Sequence, residues 1–310
     1  MIPVYMINGF LDSGKTMFIE YTISQPYFRT KGTTLLVVCE EGENEYDPQL
    51  LKDSGAVVEL VENEEDFTSQ TLIGFEKKHR PSRVIVEFNG MWNSKNVKLP
   101  WHWKLEQQIT LIDGSTFASY FTNMKSLLAE HIRKSEMILM NRCDNIMDKI
   151  PGYKRNIKAI NQKADIIFED KNGEVNVTLE EDLPYDVEAD VIELDDMAYG
   201  VWYIDVLDNA QRYVGKTISY VGQVMKPKEF PKGYFVPGRM AMTCCAEDMA
   251  FLGYACKYDK TDDLTERDWI KVTAKVKIEY FQDYGREGPV LEAISVEKAE
   301  KPKDEVISFV

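Results

Sequence analysis

The chain has 310 residues, 44% of them hydrophobic and 29% charged, with a formal net charge of −15. That length allows two domains with cores of their own, while the acidic balance argues against nucleic acid, whose binding needs a basic surface. No apolar run approaches the roughly 20 residues of a membrane span, and no basic-then-apolar segment at the N-terminus marks a secretion signal.

A cytoplasmic protein is therefore expected, with neither nucleic acid nor membrane insertion in its function. Five scattered cysteines, Cys39, Cys143, Cys244, Cys245 and Cys256, read as free thiols or ligands in a reducing compartment rather than as a disulfide framework.

The first element is an apolar strand over 2–7. Behind it Gly9, Gly14, Lys15 and Thr16 fit the spacing G-x-x-x-x-G-K-[ST], and residues 17–23 continue as a helix. Strand, glycine loop and helix are the context in which this spacing makes a phosphate cradle. The glycines let the backbone approach an anion closely, and successive N–H groups converge on it at a helix N-terminus. Lys15 reaches the β- and γ-phosphates, and the Thr16 hydroxyl suits Mg²⁺.

Further along, 33–39 is a buried-type strand that ends in a very acidic loop over 40–47. Strand 56–61, helix 66–78, strand 83–88, strand 108–113, helix 115–134, strand 137–140, helix 153–163 and strand 166–168 follow. Strands alternating with helices predict a parallel sheet covered on both faces. Ligands of such sheets bind at the strand carboxyl ends, where the glycine and acidic motifs fall.

After Lys171 no Lys or Arg occurs until Arg212, and 179–199 reads as an acidic linker. From residue 200 the pattern turns β-rich. Strands are predicted over 217–224, 239–244, 251–258, 269–280 and 290–296, a number and spacing that suit a small barrel of the OB type. The fold class is thus α/β: a P-loop NTPase domain with a mostly parallel sheet over 1–178, and an all-β, OB-like barrel over 200–310.

Later strand ends narrow the ligand. Asn141, Arg142, Cys143 and Asp144 stand where a GTPase carries Asn-Lys-x-Asp. A carboxylate there accepts both hydrogen bonds from the guanine edge, which adenine lacks. Arg142 replaces Lys and can stack over a base. Glu87 follows four strand residues and can hold Mg²⁺ through water, and the Gly90 backbone N–H can approach a γ-phosphate. The cradle comprises Gly9, Asp12, Ser13, Gly14, Lys15, Thr16 and Met17.

In order along the chain, residues 9–16, 40–47, Glu87 to Gly90, Asp113, Asn141 to Asp144, and Asn161 with Gln162, Lys163 and Ala164 resemble CobW-type GTPases, relatives of the hydrogenase and urease nickel chaperones. The resemblance covers about residues 1–178. It implies Mg²⁺-dependent GTP hydrolysis coupled to metal delivery or cofactor assembly, and GTP and GDP as ligands. By position it assigns Glu40 and Glu43 to the acidic residues of a switch segment beside the cation, and Asp47 to its later Asp.

Two departures stand out. Asp12 replaces the usual glycine of the loop and adds like charge beside the phosphates. Residues 61–66 read Val61, Glu62, Asn63, Glu64, Glu65 and Asp66, where the family carries a cysteine metal motif; soft thiolate ligation is absent there.

The remaining thiols, Cys244, Cys245 and Cys256, allow two readings. They are either a thiolate site for zinc or another transition metal, or small buried residues packing the barrel. Gly215, Lys216, Thr217, residues 230–235, Arg239, the Thr243–Ala246 segment and residues 269–272 resemble the soluble C-terminal part of a bacterial membrane-protein family paired with predicted permeases. The reading is a slow GTPase with Lys15 and Glu87 in catalytic roles and Thr16, Glu40, Glu43 and Glu87 around a cation. Its partners are guanine nucleotide and a metal-recipient protein or permease, and a homodimer stays open. The alternative is a nucleotide-gated metal- or partner-binding module that does not hydrolyse.

Overall fold

The computed structural model describes residues 1–40, 42, 45–175, 183–242 and 249–307. The chain forms two compact units, Met1–Lys154 with Lys163–Thr178, and Arg155–Gln162 with Leu179–Val310.

In the first unit the apolar runs form β1 (Ile2–Asn8), β2 (Thr34–Val38), β3 (Ala56–Leu60), β4 (Arg83–Glu87), β5 (Trp103–Asp113), β6 (Met137–Asn141), β7 (Asp165–Asp170) and the short β8 (Gly173–Glu174). Their order is β3-β2-β4-β1-β5-β6-β7-β8. Every neighbouring pair is parallel except β7 with β8. The helices are α1 (Lys15–Ser24), α2 (Pro48–Ser54), α3 (Ser69–His79), α4 (Phe117–Asn123), α5 (Lys125–Arg133) and α6 (Ile150–Ile160), the last of which belongs to the second unit from Arg155 onward.

Alternation along each strand sorts the core. Val4, Met6, Leu35, Val37, Val84 and Val86 pack with Leu72 of α3, while Ile7, Leu36, Ile85, Ile109 and Leu111 pack with Ile19 and Ile23 of α1. Adjacent strand residues point to opposite faces, so a sheet covered on both faces requires uninterrupted apolar runs. Parallel register brings the strand ends together: Glu87 lies opposite Ile7 on one side and Val38 on the other, and Asp113 lies opposite Asn141.

Some boundaries differ from expectation. β5 begins at Trp103, five residues early. The helix expected over 115–134 is broken at Met124, whose backbone (φ −133°, ψ 32°) is not helical. α3 starts at Ser69 because the Thr68 hydroxyl accepts from Thr71 N at 3.2 Å and caps it.

The second unit contains β9 (Ile192–Leu194), α7 (Asp196–Asp208), α8 (Ala210–Tyr213), β10 (Thr217–Met225), β11 (Tyr234–Met242), β12 (Met249–Leu252), β13 (Ala255–Lys257), β14 (Trp269–Phe281), β15 (Arg286–Lys298) and β16 (Val306–Ile307). β10 pairs with β14, β14 with β15, β15 with β13, β13 with β11 and β11 with β10, a five-strand ring. Closure of this ring is the OB-like barrel. Tyr220, Phe235, Val272, Ala274, Val276 and Leu291 fill it, together with Tyr199 and Trp202 of α7.

Three expectations for this region need correction. Residues 191–199 are not linker: β9 pairs in parallel with β10, and Asp195 caps α7 by accepting from Met197 N (3.0 Å) and Ala198 N (2.8 Å). Residues 200–208 are helical, not β. The single strand expected over 251–258 is two, β12 and β13.

Candidate functional site

β1 ends at Asn8 and α1 begins at Lys15, so the glycine-rich segment is the turn between a central strand and a helix N-terminus. Gly14 enters that helix at φ 93°, a left-handed backbone that glycine adopts without strain, and no side chain caps the first N–H groups. Uncapped donors with the helix dipole behind them make an anion seat. Asp12 is also left-handed, at φ 60°. Aspartate is one of the few residues that visit this region as single positions.

Lys15 is 3% exposed, and each ammonium contact is accounted for. It donates to Gly9 O and Phe10 O, both at 2.9 Å, and to Glu40 Oε2 at 2.5 Å. Beside it Thr16 Oγ1 donates to Glu87 Oε1 at 2.8 Å, and the Tyr46 hydroxyl donates to Glu87 Oε2 at 2.5 Å. Burial raises the Glu87 carboxyl above its ordinary value, against the hydrogen bonds from Tyr46 and Thr16 and the charge of Lys15. Burial, then the Glu87 charge, raises the Tyr46 phenol far above its ordinary value, so it donates as a neutral hydroxyl.

The 87–90 turn presses on the loop. A methyl group at Gly90 would lie 2.3 Å from Gly9 O and 2.7 Å from Phe10 Cα. From β6, Asn141 Nδ2 donates to Ser13 O at 2.8 Å. Arg142 donates to Asp12 O at 2.7 Å and to Asp113 Oδ2 at 2.5 Å. Burial pushes the Asp113 carboxyl up, but hydrogen bonds from Ser115 and Arg142 outweigh it and hold it below the usual carboxylate range.

A cavity of about 210 Å³ opens over these groups. Of the residues expected at the site, Asp12, Gly14, Lys15, Thr16, Met17, Glu40, Glu87 and Arg142 line it. Gly9, Ser13, Gly90 and Asn141 shape the loop through the contacts just given. Asp144 is exposed, with Oδ1 3.4 Å from Lys171 N, and does not line the cavity. Glu43, Cys244 and Cys245 lie outside the described residues.

The residues present fit a polyphosphate and a hard cation. The Ser13 hydroxyl and Asn141 Oδ1 are buried without hydrogen-bond partners among the described residues, so polar capacity is left at the loop. Thr16 and Glu87 pair a hydroxyl with a carboxylate, the oxygen donors Mg²⁺ prefers. Of the three thiols expected to form a site, Cys256 is among the described residues. Cys256 is fully buried in the barrel core, and burial pushes its thiol far up, away from thiolate. Among the described residues no group of three or more His, Cys, Asp or Glu is placed to hold a metal.

Two residues near the loop escaped sequence reasoning. Tyr46 sits in the 40–47 run as its only aromatic, which was a signal available to be read. His131 of α5 gave none. It is fully buried, its ring centroid is 5.3 Å from that of Phe10, and neither ring nitrogen has a partner among the described residues.

Residues 3–168, more than half of the chain, match the CobW/HypB/UreG nucleotide-binding domain. The chain belongs to the CobW/HypB/UreG family. The CobW/HypB/UreG match ends within β7, and residues 171–307 match a second family, the DUF1980 C-terminal domain.

Among solved structures, the chain is similar to the hydrogenase maturation factor HypB from Archaeoglobus fulgidus (18% identity, 56% of this chain and 84% of that one, TM-score 0.43). It is also similar to the Zn(II)-bound YjiA GTPase from E. coli (19% identity, 57% and 59%, TM-score 0.40). A third is HypB from Helicobacter pylori in complex with nickel (11% identity, 55% and 80%, TM-score 0.35). Comparison with curated proteins gives no match. Among the described residues no helix of this CobW/HypB/UreG chain is long and apolar enough to cross a membrane.

Proposed function

We propose that the chain binds GTP with Mg²⁺ and hydrolyses it slowly, coupling nucleotide state to metal handling or to a transport partner. The observation that carries this reading is the convergence of Gly14, Lys15, Thr16 and Glu87 on one cavity at the carboxyl end of a parallel sheet. Lys15 and the α1 N-terminal amides would hold the phosphates and stabilise charge on the transferring group. Thr16 and Glu87 would hold Mg²⁺, which when bound neutralises phosphate oxygens. Asn141, Arg142 and Asp144 support guanine as the base.

Membership of the CobW/HypB/UreG family supports coupling to metal handling. Residues 61–66 carry carboxylates and no cysteine, so transfer of a soft metal through that segment is not part of the proposal.

Phosphate release from GTP, measured against Lys15→Ala with ATP as competitor, tests the reading. The expected result is Mg²⁺-dependent release that falls on the order of 100-fold in the variant. Equal rates overturn the enzyme. Asp12, which lines the cavity, favours a second reading in which nucleotide binds without turnover. GTP binding with no phosphate release would select that reading.

A further inference from the structure

The acidic segment lends Glu40 and Gly42 to the cavity lining, and its Tyr46 hydroxyl contacts a third lining residue, Glu87. The Tyr46 ring packs against the cluster of Ile7, Ile19 and Leu36. Phenylalanine would fill that space equally well, so packing leaves the hydroxyl unexplained. The hydroxyl is directed at one acceptor, Glu87 Oε2, at 2.5 Å. The other oxygen of that carboxylate accepts from Thr16 at 2.8 Å.

Both ends of the Tyr46–Glu87 contact are fixed. The next residue, Asp47, caps α2 through Gln49 N (2.8 Å), and its own N–H donates to Glu20 Oε1 of α1 at 2.7 Å. Glu87 ends a central strand, where its carbonyl accepts from Cys39 N at 2.9 Å. A carboxylate gripped at one oxygen by a pre-set donor has a single orientation, and the other oxygen keeps its place beside the Thr16 hydroxyl.

We propose that Tyr46 is a positioning residue for the cation seat: its hydroxyl fixes the Glu87 carboxylate so that Oε1 stays with Thr16. The proposal rests on the reading of Thr16 and Glu87 as the magnesium-holding pair. Outer hydrogen bonds of this kind orient metal ligands, and their loss typically weakens metal binding by 10- to 100-fold. Tyr46 touches neither phosphate nor cation and acts only through Glu87.

The test is calorimetry on the full chain with two titrations, GDP in the presence of EDTA and Mg²⁺ into the GDP complex. Tyr46→Phe is expected to weaken Mg²⁺ binding by about 10-fold or more and to leave GDP affinity in EDTA as in the wild type. In a Glu87→Gln background, adding Tyr46→Phe is expected to change nothing further, because the two residues act as one unit. Wild-type Mg²⁺ affinity in Tyr46→Phe overturns the proposal. A parallel loss of GDP and Mg²⁺ binding also overturns it, since that marks a packing role. If wild-type GDP binding does not respond to Mg²⁺, the Thr16–Glu87 reading itself falls, and this proposal falls with it.

Discussion

Glu40→Gln should tighten the binding of phosphate-bearing ligands while destabilising the free protein. The Glu40 carboxylate is 2.5 Å from the Lys15 ammonium, and the two side chains are 9% and 3% exposed. A phosphate drawn to Lys15 must therefore displace a buried anion already in contact with it. Hydrogen bonds to charged groups contribute about 1.5–3 kcal/mol. The amide oxygen of glutamine still accepts from Lys15, so only part of that is removed, and about 1.4 kcal/mol, or 10-fold in affinity, is the expected gain.

Stability moves the other way, because the buried Lys15 charge loses its counter-ion; the hydrogen bonds Lys15 keeps hold the cost below the about 3–5 kcal/mol of removing a partner outright. Calorimetry in EDTA with GDP and with pyrophosphate, guanosine serving as the control without phosphate, reads the first effect. Thermal melting reads the second. The reasoning is refuted if Glu40→Gln binds GDP no more tightly than wild type. A weaker Mg²⁺-dependent affinity would instead place Glu40 among the cation ligands.

Two further changes probe the loop from behind. Gly90→Ala puts a methyl group 2.3 Å from Gly9 O and 2.7 Å from Phe10 Cα, both backbone atoms that no rotamer change relieves; melting should show a loss of about 1–3 kcal/mol, with weaker nucleotide binding, and an unchanged melting temperature would contradict the contact. His131 is pushed down from 6.5 to about 4, by burial and then by the charge of Lys15. As pH falls below 6.5 the unfolded chain takes up a proton that the folded chain refuses until about pH 4, so stability drops by about 1.4 kcal/mol per pH unit across that window, roughly 3 kcal/mol in all. His131→Leu removes no hydrogen bond from the ring and should flatten this acid limb in urea titrations at pH 5 and pH 7.5; an equally steep limb in the variant would refute the assignment.

The parallel strands were legible because burial on both faces demands apolar runs, and β2 and β4, buried at every position, carry such runs over 35–38 and 84–86. The barrel strand β14 was legible for the opposite reason. One of its faces is solvated over much of its length, so Ile270, Val272, Ala274 and Val276 alternate with exposed or half-buried residues. α7 was not legible. Nine consecutive residues from Ala198 to Val206 are buried, and a helix buried all round has no 3.6-residue period to read. The density of Asp and Glu over 179–199 suggested solvent, yet Ile192 and Leu194 are buried alternately in β9.

At the site the glycine loop was readable since its parts are contiguous. The pairing of Lys15 with Glu40 was not, because it joins residues 25 apart in sequence that meet only when β2 and β1 flank β4. The bond from Tyr46 to Glu87 spans 41 residues and has the same origin.

The charges at the cavity bear on what it can accept. Asp12, Glu40 and Glu87 face Lys15 and Arg142 around it, three carboxylates against two cations. A free polyphosphate brought to that lining meets excess negative charge, and the low exposure of Lys15 and Glu40 means little screening by solvent. A divalent ion beside Thr16 and Glu87 reverses the balance. The loop is therefore better matched to a magnesium–nucleotide complex than to the nucleotide alone, and the dependence on Mg²⁺ should be steep. Replacing Glu40 by glutamine removes one of the three carboxylates, so the gain in affinity it brings should be larger in EDTA than in Mg²⁺. If Glu40 instead serves as a cation ligand, the same substitution weakens binding in Mg²⁺ below that of the wild type, so the direction of the change measured in Mg²⁺, gain or loss, discriminates between the two roles.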